Sequence, residues 1–379
     1  MIQGGAHARA TGLPTALPTL GWRRGNARTK MKTRITTFTV ALWVGIIASS
    51  TFAMAQAAVA PPSHPVRKGP NWVCVNEKAP WQPRDSQGEF IYKDQLWILG
   101  GWDTPKTPNL LDVWKSSDGK QWIRTVEIAP WGQSDLPVSL AFKSRMWIMG
   151  GRKVPGTECS NKVWSSTDGA EWTLVTPNAG WSPRLSPGFV VFKDRMWVLG
   201  GTADFYQNDD RTLMNDVWSS ADGKEWNLEV ANAGWSKRAH AQAVVFDRKM
   251  WIMGGGSRAP QPIPTNDVWC SEDGVNWKEV TNAAPWKPRL WFSSVVYRDR
   301  MWVLGGWAKE GNFGDVWYSK DGRTWTELKS DVIWTKRHEH SAFVFKDKIW
   351  VAAGAAEPRY ALNSEVWSLE IPRNWFEDQ

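Results

Sequence analysis

Five arginines stand at matched places along the chain: Arg84, Arg184, Arg238, Arg289 and Arg337, each closing a W-x-x-R start such as "WSPR" at Trp181–Arg184. A sixth place of the same kind holds Ser134 instead. A guanidinium is a planar, two-toothed fork for carboxylates. Five of them near one rim would draw an anionic ligand even onto a near-neutral protein. The same residue type also ties neighbouring segments together by binding their carbonyls and carboxylates, the commoner use for any single arginine. Two residues after each arginine the column reads Ser86, Leu136, Ser186, His240, Trp291 and Glu339. Trp291 offers a stacking plane, and His240 or Glu339 could move a proton in opening a sugar ring. Against that stands the plainer reading, in which these side chains only fill an interior. "RHEH" at Arg337–His340 puts His338 and His340 on one strand face, but no third ligand stands at a metal-site spacing. Cys74, Cys159 and Cys270 show no such spacing either. The expectation is a protein with no metal and no cofactor.

Charge narrows the partners. The chain of 379 residues has a formal net charge of +8, but residues 1–55 hold seven Lys or Arg and no Asp or Glu. The remainder is left with 39 basic and 38 acidic residues. That balance argues against bulk electrostatic binding to nucleic acid or an anionic membrane. Residues 1–55 read as an export-signal region. "MKTR" at Met31–Arg34 supplies the positive start, Phe38–Phe52 the apolar stretch, and Ala53-Met54-Ala55 a small-x-small cleavage pattern. Met31 is the expected true start and cleavage falls near Ala55. No stable membrane anchor remains after the cut, and the expected location is periplasmic or secreted. Residues 56–70 then form a linker and 71–379 the folded domain.

The elements that must position the candidates come from repetition. "KDRMWVLGG" at Lys193–Gly201 returns as "RDRMWVLGG", "KSRMWIMGG" and "KDQLWILGG". The tryptophan before the glycine pair falls at 97, 147, 197, 251, 302 and 350, intervals of 50, 50, 54, 51 and 48. Each unit carries an alternating strand, a Lys-Asp-like turn, a second strand ending in the glycines, a variable loop, "DVW", an Asp-Gly pair and a last strand with Trp before it. Asp-Gly (Asp118-Gly119, Asp168-Gly169, Asp222-Gly223, Asp273-Gly274, Asp321-Gly322) predicts two-residue hairpins. Four strands in about fifty residues, six times over, predict an all-β, six-bladed β-propeller. Of 28 tryptophans after residue 55, 24 fall into four columns of six, which assigns them to packing between blades. "NWVCVNEKAPW" at Asn71–Trp81 matches "EWTLVTPNAGW" at Glu171–Trp181, so residues 71–77 are expected to complete the last blade in place of the segment around Trp375.

The unit's arginine, paired glycines and later tryptophan resemble the kelch repeat over the whole of residues 71–379. The kelch family includes the propeller of galactose oxidase, bacterial sialic acid mutarotases and many binding scaffolds, so the resemblance speaks for fold more than function. It implies that the loops from fourth to first strands and from second to third strands share one face, at the mouth of a central channel. That would place the five arginines, Trp291, Glu339 and His240 there, with Trp102 and Trp307, which directly follow glycine pairs. The loop Thr202–Asn215 joins them as the longest of its kind, carrying Phe205 and Tyr206. A copper oxidase has no recognisable ligand set among the five tyrosines. A sialidase lacks a placeable nucleophile, and "SSDGKQW" is one residue short of that family's Asp-box. The leading expectation is an exported propeller that binds a small acidic sugar or glycan at the channel mouth, with catalysis of the mutarotase type as its sharper form. The alternative is a non-catalytic scaffold for a protein or cell-wall polymer, tolerant at Glu339 and His240 and sensitive at Trp102, Trp307 or the 202–215 loop.

Overall fold

Alternation and continuity separate the first two strands of most units. In Gly188–Phe192 every second residue is buried, whereas in Arg195–Thr202 everything after the first residue is buried. A strand with one face on a channel alternates, and a strand sandwiched between neighbouring sheets does not. The computed structural model describes residues 69–103 and 109–377, and among these it contains six four-stranded antiparallel sheets. The export-signal reading of residues 1–55 falls outside the described residues. The first sheet runs Gly88–Tyr92, Gln95–Leu99, Val113–Ser116, Ile123–Val126, and the next four repeat that order. The opening strands of the six sheets contact one another in chain order, and the sixth, Ser341–Phe345, contacts the first, Gly88–Tyr92. The sheets thus stand around a common axis as a β-propeller.

The sixth sheet draws its outer strand from the other end of the chain. Asn71–Asn76 pairs antiparallel with Val366–Glu370, beside Lys348–Ala352 and Ser341–Phe345. Trp72 meets Trp334 edge to face at 5.9 Å and 85°, matching Trp81 on Trp122 at 5.8 Å and 85° in the first sheet. Trp375 lies beyond the last strand, in a turn against Gly69, so the fourth tryptophan column ends with Trp72.

Of the two kinds of turn, the Lys-Asp-like one is the tight hairpin expected and the Asp-Gly one is not. The tight two-residue hairpin is the Lys-Asp-like one: Lys193 and Asp194 have φ of 46° and 56°, and the equivalent pairs in all six units are also left-handed. Asp-Gly instead sits inside a six-residue loop, between strands ending at Ser116 and starting at Ile123 in the first sheet. There Asp118 Oδ1 accepts from the backbone N–H groups of Lys120 and Gln121, both at 2.8 Å, and Ser116 Oγ accepts from Gly119 at 2.8 Å. This is an Asx turn, in which the side chain substitutes for a backbone carbonyl. The glycine has a second reason beyond its φ: a Cβ on Gly169 would stand 2.3 Å from the ring of Trp97 on the preceding sheet.

Candidate functional site at the channel mouth

The structure takes the five arginines out of the candidate ligand site. Arg84, Arg184, Arg238, Arg289 and Arg337 are at most 1% exposed. Each already holds a carboxylate of its own unit. Arg184 donates to both oxygens of Asp216 at 2.6 and 2.9 Å and to the Gly200 carbonyl at 2.9 Å. Arg84 does the same with Asp112, Arg238 with Asp267 and Arg289 with Asp315, while Arg337 is split between Asn363 and Glu365. These acids are the first residue of "DVW" or its equivalent, and each also accepts from the following indole, as Asp216 does from Trp218 at 2.7 Å. Burial by itself would raise the carboxyls of Asp112, Asp267 and Asp315, yet the arginine bonds outweigh it and leave them below the ordinary range. The second unit has Ser134 where the arginine stands and Lys162 where the acid stands, and there Trp164 Nε1 is buried without a partner. Arginine, acid and indole bond are lost together, as expected of one structural device.

The column two residues on does reach the mouth, though not by strand alternation. Ser86, Leu136, Ser186, His240, Trp291 and Glu339 all have φ between 50° and 60°. That left-handed turn swings each side chain away from its arginine and lets backbone bonds run from unit to unit: Leu136 N to Ser86 O at 3.0 Å, Ser186 N to Leu136 O at 3.2 Å, His240 N to Ser186 O at 3.0 Å. Each non-glycine residue held this way costs on the order of 1–2 kcal/mol, so the belt is retained against strain. Below it a narrow channel of about 90 Å³ is lined by Gln87, Glu89, Ser139 and Ser293 among others.

Above the belt lies a pocket of about 530 Å³, open to solvent. Its wall is aromatic. Trp291 lies 5.3 Å from Trp307 and 5.4 Å from His338, and Trp307 Nε1 donates to the Tyr360 hydroxyl at 3.1 Å. Trp102 lines the opposite side. Phe205, from the long 202–215 loop, is sandwiched by two guanidinium groups, Arg152 at 3.9 Å and Arg258 at 4.5 Å from its ring centre. Arg152 also donates to Asp135, but its Nη1 is buried without a partner. Arg258 has no hydrogen-bonding or ion-pair partner among the described residues, and it also lies 6.0 Å from the ring centre of Trp291.

The pocket floor collects acids. Asp85 and Asp135 are 6% and 2% exposed, and Ser86 Oγ bonds both to Glu339 Oε2 and, at 3.1 Å, to Asp85 Oδ1. Burial, followed by the charge of Asp135, pushes the Glu339 carboxyl up to about 8. Asp85 is likewise raised, by burial and then by Glu339 and Asp135. The carboxyl of Glu339 is thus shifted toward its protonated form, on the floor of the pocket. His240 is not so placed. It is 2% exposed, its Nδ1 lies 2.7 Å from Ser186 Oγ, and its Nε2 lies 3.4 Å from the Asn208 amide nitrogen. Burial, then Arg258 and Arg152, lower it to about 3. With both nitrogens engaged it positions Trp291, whose ring is 4.9 Å away.

Asp85, Asp135, Arg152 and Arg258 are pocket residues that the repeat does not single out, and His338, seen in the sequence only as part of "RHEH", joins them. Asp85, Asp135 and His338 share one column, directly after the arginine place, where the other three units carry Leu185, Ala239 and Leu290. Arg152 shares the place after the glycine pair with Trp102 and Trp307. Both columns break their pattern where the pocket lies. The "RHEH" segment finds acidic neighbours beyond its own spacing: ligand atoms of Asp85, His338 and Glu339 all lie within 4.8 Å of one another. His340 is buried against Trp334, at 5.3 Å, and takes no part.

Comparison with known proteins agrees with this architecture. The family model described as the KLHDC2/KLHL20/DRC7 Kelch-repeats domain matches residues 137–354, more than half of the chain. The solved structure titled "Structure of YjhT" superposes with a TM-score of 0.60 at 16% identity, covering 77% of this chain and 96% of that one. Among curated sequences, a segment of the "Dynein alpha chain, flagellar outer arm" of Chlamydomonas reinhardtii is 32% identical over 106 residues. That match takes in 26% of this chain and spans about 2% of the dynein chain's length. With the repeat, the propeller and the family match in agreement, the chain belongs to the kelch-repeat family.

Proposed function

We propose that the mouth pocket binds a small acidic sugar, its carboxylate on Arg258 and the unpaired side of Arg152, its ring against Trp291 and Trp307. The observation that carries this reading is the partnerless guanidinium of Arg258, held over Phe205 inside an aromatic pocket. A guanidinium stacked on a ring keeps its in-plane donors free, the geometry a carboxylate needs. Interconversion of the sugar's anomers is the reaction that suits the floor, with Glu339 passing its proton to the ring oxygen. His240 drops out of that role. Export to the periplasm or the exterior is part of the proposal and rests on residues 31–55; fractionation of cells producing the full chain tests it.

The decisive experiment is ligand-induced melting of the purified, chelator-treated protein against a panel of neutral and acidic sugars, for wild type, Arg258→Ala and Trp307→Ala. A shift for acidic sugars only, reduced in both variants, supports the pocket. Anomer exchange followed by NMR should then be lost in Glu339→Gln while binding persists. If no sugar shifts the melting point, the scaffold reading takes its place. Tyr206 and Tyr360 favour that second reading, since they stand 54% and 45% exposed at the rim where a protein or polymer would rest.

A further inference from the structure

We propose that Asp85, His338 and Glu339 form a site for a first-row divalent cation on the pocket floor, a feature independent of whether a sugar binds above it. Their ligand atoms lie within 4.8 Å of one another, close enough to share one ion. They come from distant parts of the chain: Asp85 from the bridge before the first sheet, and His338 with Glu339 from the entry to the sixth. No metal-site spacing in the sequence could reveal such a set.

The orientation of His338 is the second, separate observation. Asn312 is 6% exposed, and its amide nitrogen donates to the carbonyls of Ala355 at 2.9 Å and Lys336 at 3.4 Å. Its Oδ1 is therefore an acceptor, and it lies 2.6 Å from His338 Nδ1. The hydrogen must sit on Nδ1, which leaves Nε2 with a bare lone pair. A buried partner that fixes the outer nitrogen of a histidine is the usual support for a metal-bound imidazole. Tyr360 and Trp291 pack on the same ring, at 5.5 and 5.4 Å, and hold its plane.

Three acids, Asp85, Asp135 and Glu339, meet the charge of two arginines at the floor. Arg152 is committed to Asp135, and Arg258 faces Phe205 and Trp291. Between Asp85 and Glu339 the donor is the single hydroxyl of Ser86. Two acid side chains and an imidazole thus converge around the one hydroxyl of Ser86. Mixed nitrogen and oxygen donors suit zinc or manganese over magnesium or calcium, and three protein ligands leave further positions facing the pocket. An ion there would hold Glu339 as carboxylate and so displace its use as a proton donor on the same molecule. For that reason this test uses no sugar, and the turnover test uses chelator-treated protein.

The experiment is calorimetric titration of untagged, chelator-stripped protein with zinc chloride, repeated with cobalt(II) and read by its absorption bands. The expected result is one site per chain, lost in His338→Ala and in the isosteric Asp85→Asn, with both apo variants still folded by circular dichroism. Asn312→Leu should weaken binding about 10- to 100-fold, because the histidine loses its fixed tautomer. No uptake by wild type, or uptake of equal affinity in Asp85→Asn and His338→Ala, would overturn the proposal. The latter outcome would mark binding elsewhere, for instance at a cysteine.

Discussion

Arg184 and Arg258 belong to the same propeller and do opposite work. Arg184 is buried, two-toothed on Asp216 and bonded to a carbonyl; three other units repeat the arrangement, and a fourth splits it between Asn363 and Glu365. Arg258 occurs once, on a loop, with aromatic rings beneath it and no acid in its grasp. The difference teaches that arginine count is a poor guide to a ligand site. A guanidinium that recurs with an acid at constant separation is construction, and one that breaks the pattern is available for something else.

Substitutions sharpen that contrast, beginning with the largest effect. Arg184→Ala strands the Asp216 carboxylate and should cost about 3–5 kcal/mol, read as loss of unfolding free energy in urea; a loss below about 1 kcal/mol would break the contrast. Arg258→Ala should leave urea stability alone and weaken an acidic sugar by about 1.5–3 kcal/mol, roughly 10- to 100-fold, measured by calorimetry. Asp222→Ala removes two bonds to the backbone N–H groups of Lys224 and Glu225. That turn is largely exposed, so the cost should be only about 0.5–1 kcal/mol.

Glu89 offers a test of the channel beneath the pocket. Burial pushes its carboxyl from 4.5 up to about 8, with one hydroxyl, Ser341, near it at 3.4 Å. A carboxyl raised in the folded state stabilises that state below its unfolded value, and the contribution disappears as pH rises through the folded one. Wild type should therefore lose stability between about pH 4.5 and 8 on this group's account. Glu89→Gln should flatten that slope and melt higher than wild type at pH 9; parallel melting curves across the range would contradict it. Smallest of all, Arg211→Ala, which removes an exposed pair with Asp209, should not move the melting point measurably.

The fold was legible because every unit must solve one packing problem with one set of residues. Trp81 on Trp122 and Trp181 on Trp226 are the same contact written twice, so spacing alone could find it. The structural use of the arginines was legible too, in the joint loss of arginine and acid at Ser134 and Lys162. The pocket was harder for two physical reasons. A left-handed residue after each arginine place breaks the alternation from which side-chain direction is inferred, so Glu339 and Arg337 part company. Arg152, Phe205 and Arg258 meet only because three different units lend loops to one mouth. Asp-Gly misled for a local reason: the dipeptide suits a two-residue hairpin, but here Asp caps a longer loop and the glycine makes room for a neighbouring indole.

The strand Asn71–Asn76 has a consequence for biosynthesis. It emerges near the start of the propeller, and its only strand partner, Val366–Glu370, emerges near the end. Until Val366–Glu370 has been made, Asn71–Asn76 has no strand to join in the sixth sheet and the edge of Lys348–Ala352 has nothing to pair with. Open edges of this kind recruit other chains. A product cut short before Val366 thus carries its own mark of incompleteness, whereas Val366–Glu370, once made, covers that edge and is itself covered by Asn71–Asn76.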